Sequence, residues 1–175
     1  MDISRRILES NRLTQAMGYV LGSPKGHSMN FLIAHKDGEV VNIETSCIEN
    51  HIIFPNKNFM VHTNHYIKPC KGFKDIKTND YNPSTYIRLH RMEKLLSEMD
   101  DKIDIKDIQD ILKDHFDHPF SVCLHDIDEF PPATIASKTC LSIVMDLSKQ
   151  TISYIKGNPC QNPVERLDLT SFLNQ

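Results

Sequence analysis

Met29-Asn30-Phe31-Leu32-Ile33-Ala34-His35-Lys36-Asp37-Gly38-Glu39-Val40-Val41-Asn42-Ile43-Glu44-Thr45 is the stretch on which the fold turns. Two runs rich in β-branched and aromatic residues flank an Asp-Gly pair, and Asp-Gly supplies the positive backbone angles that a tight hairpin needs. The spacing predicts a buried strand over 29–35 and a second over 39–45. A sheet is therefore present early in the chain.

Working toward the N-terminus, Gly22-Ser23-Pro24-Lys25-Gly26 separates the hairpin from helical patterning. Ile3, Ile7 and Leu8 lie on one face at helical spacing, and Leu13, Ala16, Met17, Val20 and Leu21 repeat the pattern behind Asn11, the expected N-cap. Two short helices open the chain. Working toward the C-terminus, Ile52-Ile53-Phe54 closes at Pro55, and Phe59 to Tyr66 reads as a further strand ending in polar residues. Residues 67–83 carry Pro69, Gly72, Asn79, Asn82 and Pro83 and read as a long ordered loop.

Ser84 is the expected N-cap of a helix through Ile87, Leu89, Met92, Leu95 and Leu96, and Asp104 that of another through Ile105, Ile108, Ile111 and Leu112. Strands follow at 121–125 and 134–147, then Ser148-Lys149-Gln150 turns into a strand over 151–156. Helix pair, strands, helix pair, strands is an α+β order that favours sheets packed between helical layers.

The composition limits the function. At 175 residues the chain is expected to be a single domain, 1–175, able to bury roughly 70% of its unfolded surface. Twenty Lys plus Arg are interspersed with 23 Asp plus Glu for a net charge of -3, so no basic face offers itself to a phosphate backbone and nucleic acid is not an expected partner. Apolar runs reach about half the ~20 residues of a membrane span, and the N-terminus lacks an export signal. Five cysteines without a CxxC pair argue against a disulfide framework and fit a reducing cytoplasm.

From Arg6 onward the chain resembles the acyl-coenzyme A:6-aminopenicillanic-acid acyltransferase family, a branch of the N-terminal-nucleophile hydrolases related to penicillin and bile-salt amidases. The resemblance is carried by Asn30-Phe31-Leu32-Ile33-Ala34, Asp37-Gly38-Glu39-Val40-Val41, Glu44-Thr45 and, most specifically, Val61-His62-Thr63-Asn64-His65. Later pieces agree: Ser84 to Arg91, Asp114-His115, Cys123-Leu124-His125, Thr134-Ile135-Ala136-Ser137 and Gly157-Asn158-Pro159-Cys160. It implies an αββα sandwich and a proenzyme that cleaves itself before a cysteine, whose thiol attacks while the new α-amine takes its proton. Acyl transfer or amide hydrolysis through a thioester is the implied reaction, with a small-molecule acyl donor or amide as substrate, acyl-CoA as a possible co-substrate and no bound cofactor.

The glycines stand at 18, 22, 26, 38, 72 and 157, and none immediately precedes a cysteine. The family's Gly-Cys junction is thus not found, and the chain reads as a C-terminal portion, incomplete at its N-terminal side, whose nucleophile lies in a missing segment. A split gene half, a disrupted gene and an expressed fragment all fit, and all predict a need for that segment or for a homo-oligomer partner. The alternative is a catalytically inactive half-domain acting as a binding or scaffold module.

On a strand over 59–66, His62 and Asn64 share one face and Thr63 and His65 the other. The resemblance gives Asn64 the oxyanion-stabilising role, for which a neutral amide N–H suits a developing negative charge; the simpler reading is an Asn capping the loop. His62 is expected to support Asn64 or to be a satisfied strand histidine. Thr63, His65 and Ser137 are expected at the substrate, Ser137 together with Thr134 because they match a site-lining segment of the family. Arg88 and Arg91 share a helix face, and Arg88 better matches the family's Ser/Thr-x-x-Arg pattern as organiser of the pocket; a solvated arginine face is its simpler reading.

Cys123 and His125 form a rival thiol site, against which Val122 and Leu124 mark a core strand and a buried Cys behaves as a small apolar residue. His115 and His118 nearby make zinc conceivable, but histidines structuring the turn around Pro119 are the simpler reading, Cys160 reads as a core residue after a turn, and no metal site is expected.

Overall fold

The computed structural model describes residues 2–71, 83–99, 103–126 and 138–173. The chain divides into two compact units, Met1–Asn82 and Pro83–Gln175.

In the first unit, helix α1 spans Ile3–Leu8 behind Asp2, whose carboxylate accepts the Ser4 N–H. Helix α2 spans Leu13–Gly22. Arg12, not Asn11, holds its N-cap position: the Arg12 backbone is extended (φ -141°, ψ 139°), and no side chain caps the helix. Strands β1 (Met29–Ala34), β2 (Val40–Thr45) and β3 (Asn50–Ile53) form an antiparallel sheet in the order β1-β2-β3. Ile33 pairs with Val41 and Phe31 with Ile43 across the expected hairpin, whose Gly38 has φ +94°, a conformation costly for any residue with a Cβ.

Period-2 alternation along β2 separates two buried faces. Val41 and Ile43 pack with Ala16, Val20 and Ile33 into an apolar core flanked by Ile7, Met17 and Phe31. Asn42 and Glu44 stand on the opposite face and are buried as well.

Phe59 to Tyr66 is not a strand; the segment runs without a ladder partner among the described residues. Side chains tie it to β2: His62 bonds to Glu44 and the Tyr66 hydroxyl donates to the Thr45 carbonyl at 2.9 Å, and just after the segment Glu44 also takes the N–H groups of Ile67 and Lys68.

In the second unit, helix α3 covers Ser84–Ser97 with Pro83 at the N-cap, so Ser84 is the first helical residue rather than the cap. Helix α4, Ile105–Ile111, is capped as expected by Asp104, which accepts the Asp107 N–H while the Asp107 carboxylate accepts that of Asp104. Replacing Asp104 by alanine is expected to lower stability by about 1 kcal/mol, read as a shift in the urea midpoint at unchanged slope.

Strands β4 (Leu141–Asp146), β5 (Thr151–Lys156) and β6 (Glu165–Asp168) form an antiparallel meander, followed by the short helix α5, Thr170–Leu173. The strand expected over 134–147 begins at Leu141, its first residues 134–137 lying outside the described ones. The strand expected at 121–125 is instead a folded loop. Cys123 N–H bonds back to the Asp114 carbonyl, His125 N–H to the Pro119 carbonyl and Leu124 N–H to the Thr139 hydroxyl, a mixed set that forms no sheet ladder.

The architecture is mixed α+β with two small antiparallel sheets. Among the described residues no helix is long and apolar enough to cross a membrane.

Candidate active site

The site in the first unit grows from Glu44. Its side chain is 1% exposed, on a strand whose flanking Ile43 belongs to the core, and a carboxylate so placed must be bonded on every side. Oε1 receives His62 Nε2 at 2.9 Å and the Ile67 N–H, and Oε2 receives the Lys68 N–H at 3.1 Å. Burial pushes the carboxyl pKa up, but the bonds from His62, Ile67 and Lys68 outweigh it and hold it below its ordinary value. Glu44 is thereby a fixed anion.

Asn64 stands between the two ties this network makes. His62 is bound to Glu44 and Tyr66 to the next residue of β2, Thr45, so the positions two before and two after Asn64 are pinned to adjacent strand residues. Asn64 itself is exposed. The strand alternation expected to aim it does not operate, and a pinned loop presents it instead. Thr63 Oγ1 and His65 Nδ1 lie 3.2 Å apart, and His65 is buried. Asn42, on the Glu44 face of β2, is fully buried, and its amide makes no hydrogen bond among the described residues.

Arg88 belongs to the second unit, half-buried on α3, and burial pushes its pKa down while leaving it a cation. Arg91, one turn on, is committed elsewhere, in a bidentate pair with Asp114 at 2.8 to 3.2 Å. Ser137 and Thr134 lie outside the described residues.

The second unit gathers a further group. Cys123 is fully buried; His125 is half-buried, with His115 and Cys160 more exposed, and the four donor atoms lie within 4.8 Å of one another. Cys160 is thus an exposed member of this cluster rather than a core residue, and Val122 and Leu124 mark a loop rather than a core strand. Burial, with His115 and His118 beside it, lowers the His125 pKa.

Sequence reasoning missed the anchoring role of Glu44. The available signal was an acidic residue inside a β-rich run, directly after the apolar Ile43.

No curated protein matches the chain. A family model described as acyl-coenzyme A:6-aminopenicillanic acid acyl-transferase matches residues 1–161, which takes in strands β1 to β5, the pinned loop and the cysteine-histidine cluster. The chain belongs to the acyl-coenzyme A:6-aminopenicillanic acid acyltransferase family.

Proposed function

We propose that this chain carries the oxyanion side of an acyltransferase or amide hydrolase that works through a cysteine thioester on an αββα framework. Family membership supports acyltransferase or hydrolase activity in general. The observation that carries the finer reading is the presentation of Asn64: an exposed amide on a loop fixed at both flanks to β2. An oxyanion donor must be held before charge develops, because a donor that reorganises during the reaction loses most of its value.

In this reading His62 and Glu44 are positioning residues and Arg88 keeps its family-implied role as organiser of the nucleophile's surroundings. Thr63, His65 and Ser137 remain the proposed substrate-side residues. Because no glycine immediately precedes a cysteine in the 175 residues, the nucleophile is proposed to come from a segment outside them. The substrate is a small-molecule acyl donor or amide, acyl-CoA being one donor to test, and the compartment is the cytoplasm.

The test is reconstitution. A nucleophile-bearing segment with a Gly-Cys junction is supplied in fusion or in trans, and the product is followed by intact mass. Self-cleavage and an acyl adduct on the new N-terminal cysteine, lost on thiol alkylation, are expected. A self-cleaved protein that forms no thioester with any activated acyl donor overturns the proposal.

A second reading, the binding or scaffold module, is favoured by one surface. Leu141, Ile143 and Met145 on β4 and Leu167 on β6 are exposed, Met145 and Leu167 aligned through Ile152 on one sheet face. A stable, soluble dimer of the chain alone, with no activity on reconstitution, selects it.

A further inference from the structure

We propose that His115, Cys123, His125 and Cys160 form a structural zinc site. Zinc bonded to sulfur at about 2.3 Å and to imidazole nitrogen at about 2.0 Å in a tetrahedron sets donor atoms about 3.3 to 3.8 Å apart. The separations here are 3.6 Å between the two Sγ atoms, 3.5 Å and 3.4 Å from His125 Nε2 to Cys123 and Cys160, and 3.0 Å between the Nε2 atoms of His115 and His125. Three of the six edges match, the His115–His125 edge needs to open by a few tenths of an ångström, and the two edges from His115 to the thiols lie within 4.8 Å. The protein alone brings the two thiols and His125 to tetrahedral spacing, with His115 beside them.

The donor set also selects the ion. Two thiols and two imidazoles at tetrahedral spacing suit zinc among the metals of a reducing compartment, whereas calcium, magnesium and manganese favour oxygen. All four positions are filled by protein, which is the pattern of a structural site rather than one that holds a water for chemistry.

The surroundings fix the ligands as metal sites require. The Asn158 amide donates both to Cys123 Sγ at 3.5 Å and to the Leu124 carbonyl at 2.7 Å, tying the segment that carries Cys160 to the one that carries Cys123. The Asp114 carbonyl accepts the Cys123 N–H, and the Asp114 carboxylate is itself clamped by Arg91, so the residue before His115 is also held.

There is a physical reason for such a clip. Among the described residues of this unit, Leu96, Ile111, Cys123 and Ile155 are the buried apolar side chains, a small core for three strands and two longer helices. A bound ion joins loops remote in sequence and adds its binding free energy to folding.

The same pair of cysteines can also be oxidised to a disulfide, and four polar side chains can cluster by hydrogen bonding alone, so the experiment separates the three. The full chain is purified under reducing conditions without chelator, its metal content is measured, and the metal-free protein is titrated with zinc and, separately, with cobalt. One zinc per chain is expected. Cobalt should give the intense visible d–d bands and sulfur-to-metal charge-transfer absorption of tetrahedral thiolate coordination.

Zinc should also shield Cys123 and Cys160 from alkylation while leaving exposed Cys47 and Cys140 reactive. Cys160→Ser, at an exposed position, should abolish stoichiometric binding without the folding risk of changing buried Cys123. Asn158→Ala should weaken zinc about 10- to 100-fold. His118 flanks the cluster with its ring centroid 5.0 Å from that of His125, and His118→Ala should retain binding.

Octahedral cobalt spectra, equal alkylation of all cysteines with zinc present, or loss of binding in His118→Ala would each overturn the assignment. So would a reduced, folded chain that takes up no zinc, including one first isolated with a Cys123–Cys160 disulfide.

Discussion

Replacing Glu44 by alanine is expected to cost roughly 1–3 kcal/mol of stability at neutral pH. The change removes the acceptor of three donors at once: His62, whose side chain is 9% exposed, and the N–H groups of Ile67 and Lys68, both exposed residues. An unsatisfied buried group carries a penalty of about 1–3 kcal/mol, which falls chiefly on His62. Urea unfolding followed by far-ultraviolet circular dichroism measures it, and a loss under about 1 kcal/mol would show that the network does not hold the loop.

The pH dependence has a definite sign. Glu44 is held below its ordinary 4.5, so the unfolded chain binds its proton more readily than the folded one. Its contribution is fully present above about pH 4.5 and is lost as the pH falls through the lower folded value. The stability gap between the wild type and Glu44→Gln should therefore shrink as the pH falls below about 4.5.

Local chemistry was legible in the sequence where a short-range rule sufficed. The Asp37-Gly38 hairpin and the Asp104 cap follow from residues within a few positions of one another, and both stand where expected. Residues 59–66 and 121–125 alternate or cluster like strands, yet their bonding partners decide otherwise. In the first segment the partner, Glu44, lies 18 residues before His62. In the second, the partners are the Asp114 and Pro119 carbonyls and Thr139. Periodicity reports which side of an element is apolar and carries no information on whether a neighbouring ladder exists.

The two clusters show the same limit at the level of sites. Asn64 was legible because the residues around it form a compact motif; what fixes it was not, since a lone glutamate in a strand announces nothing about a histidine on a later loop. Cys160 follows His125 by 35 residues and matches no short ligand spacing, so its place beside Cys123 emerges only once the Asn158 turn is folded. Gly157, at φ +80°, makes that turn accessible and would be strained as any other residue.

Asn64→Ala is expected to lower the rate of acyl transfer in the reconstituted protein by about 100- to 1,000-fold while costing less stability than His62→Ala. The split follows from placement. Asn64 is exposed and its flanks are held by His62 and Tyr66, so truncating its amide leaves the loop's anchors in place. An oxyanion donor acts on the transition state more than on the bound substrate, so the loss should fall on kcat with KM little changed. His62→Ala should behave differently, lowering stability and rate together, because it frees the loop and leaves Glu44 without its side-chain partner. If Asn64→Ala unfolds the protein but spares the rate of the folded fraction, Asn64 is a loop cap and the oxyanion donor must be sought elsewhere. If instead His62→Ala slows the reaction and Asn64→Ala does not, the pinned loop serves the site through a neighbour of Asn64, and Thr63 becomes the residue to test.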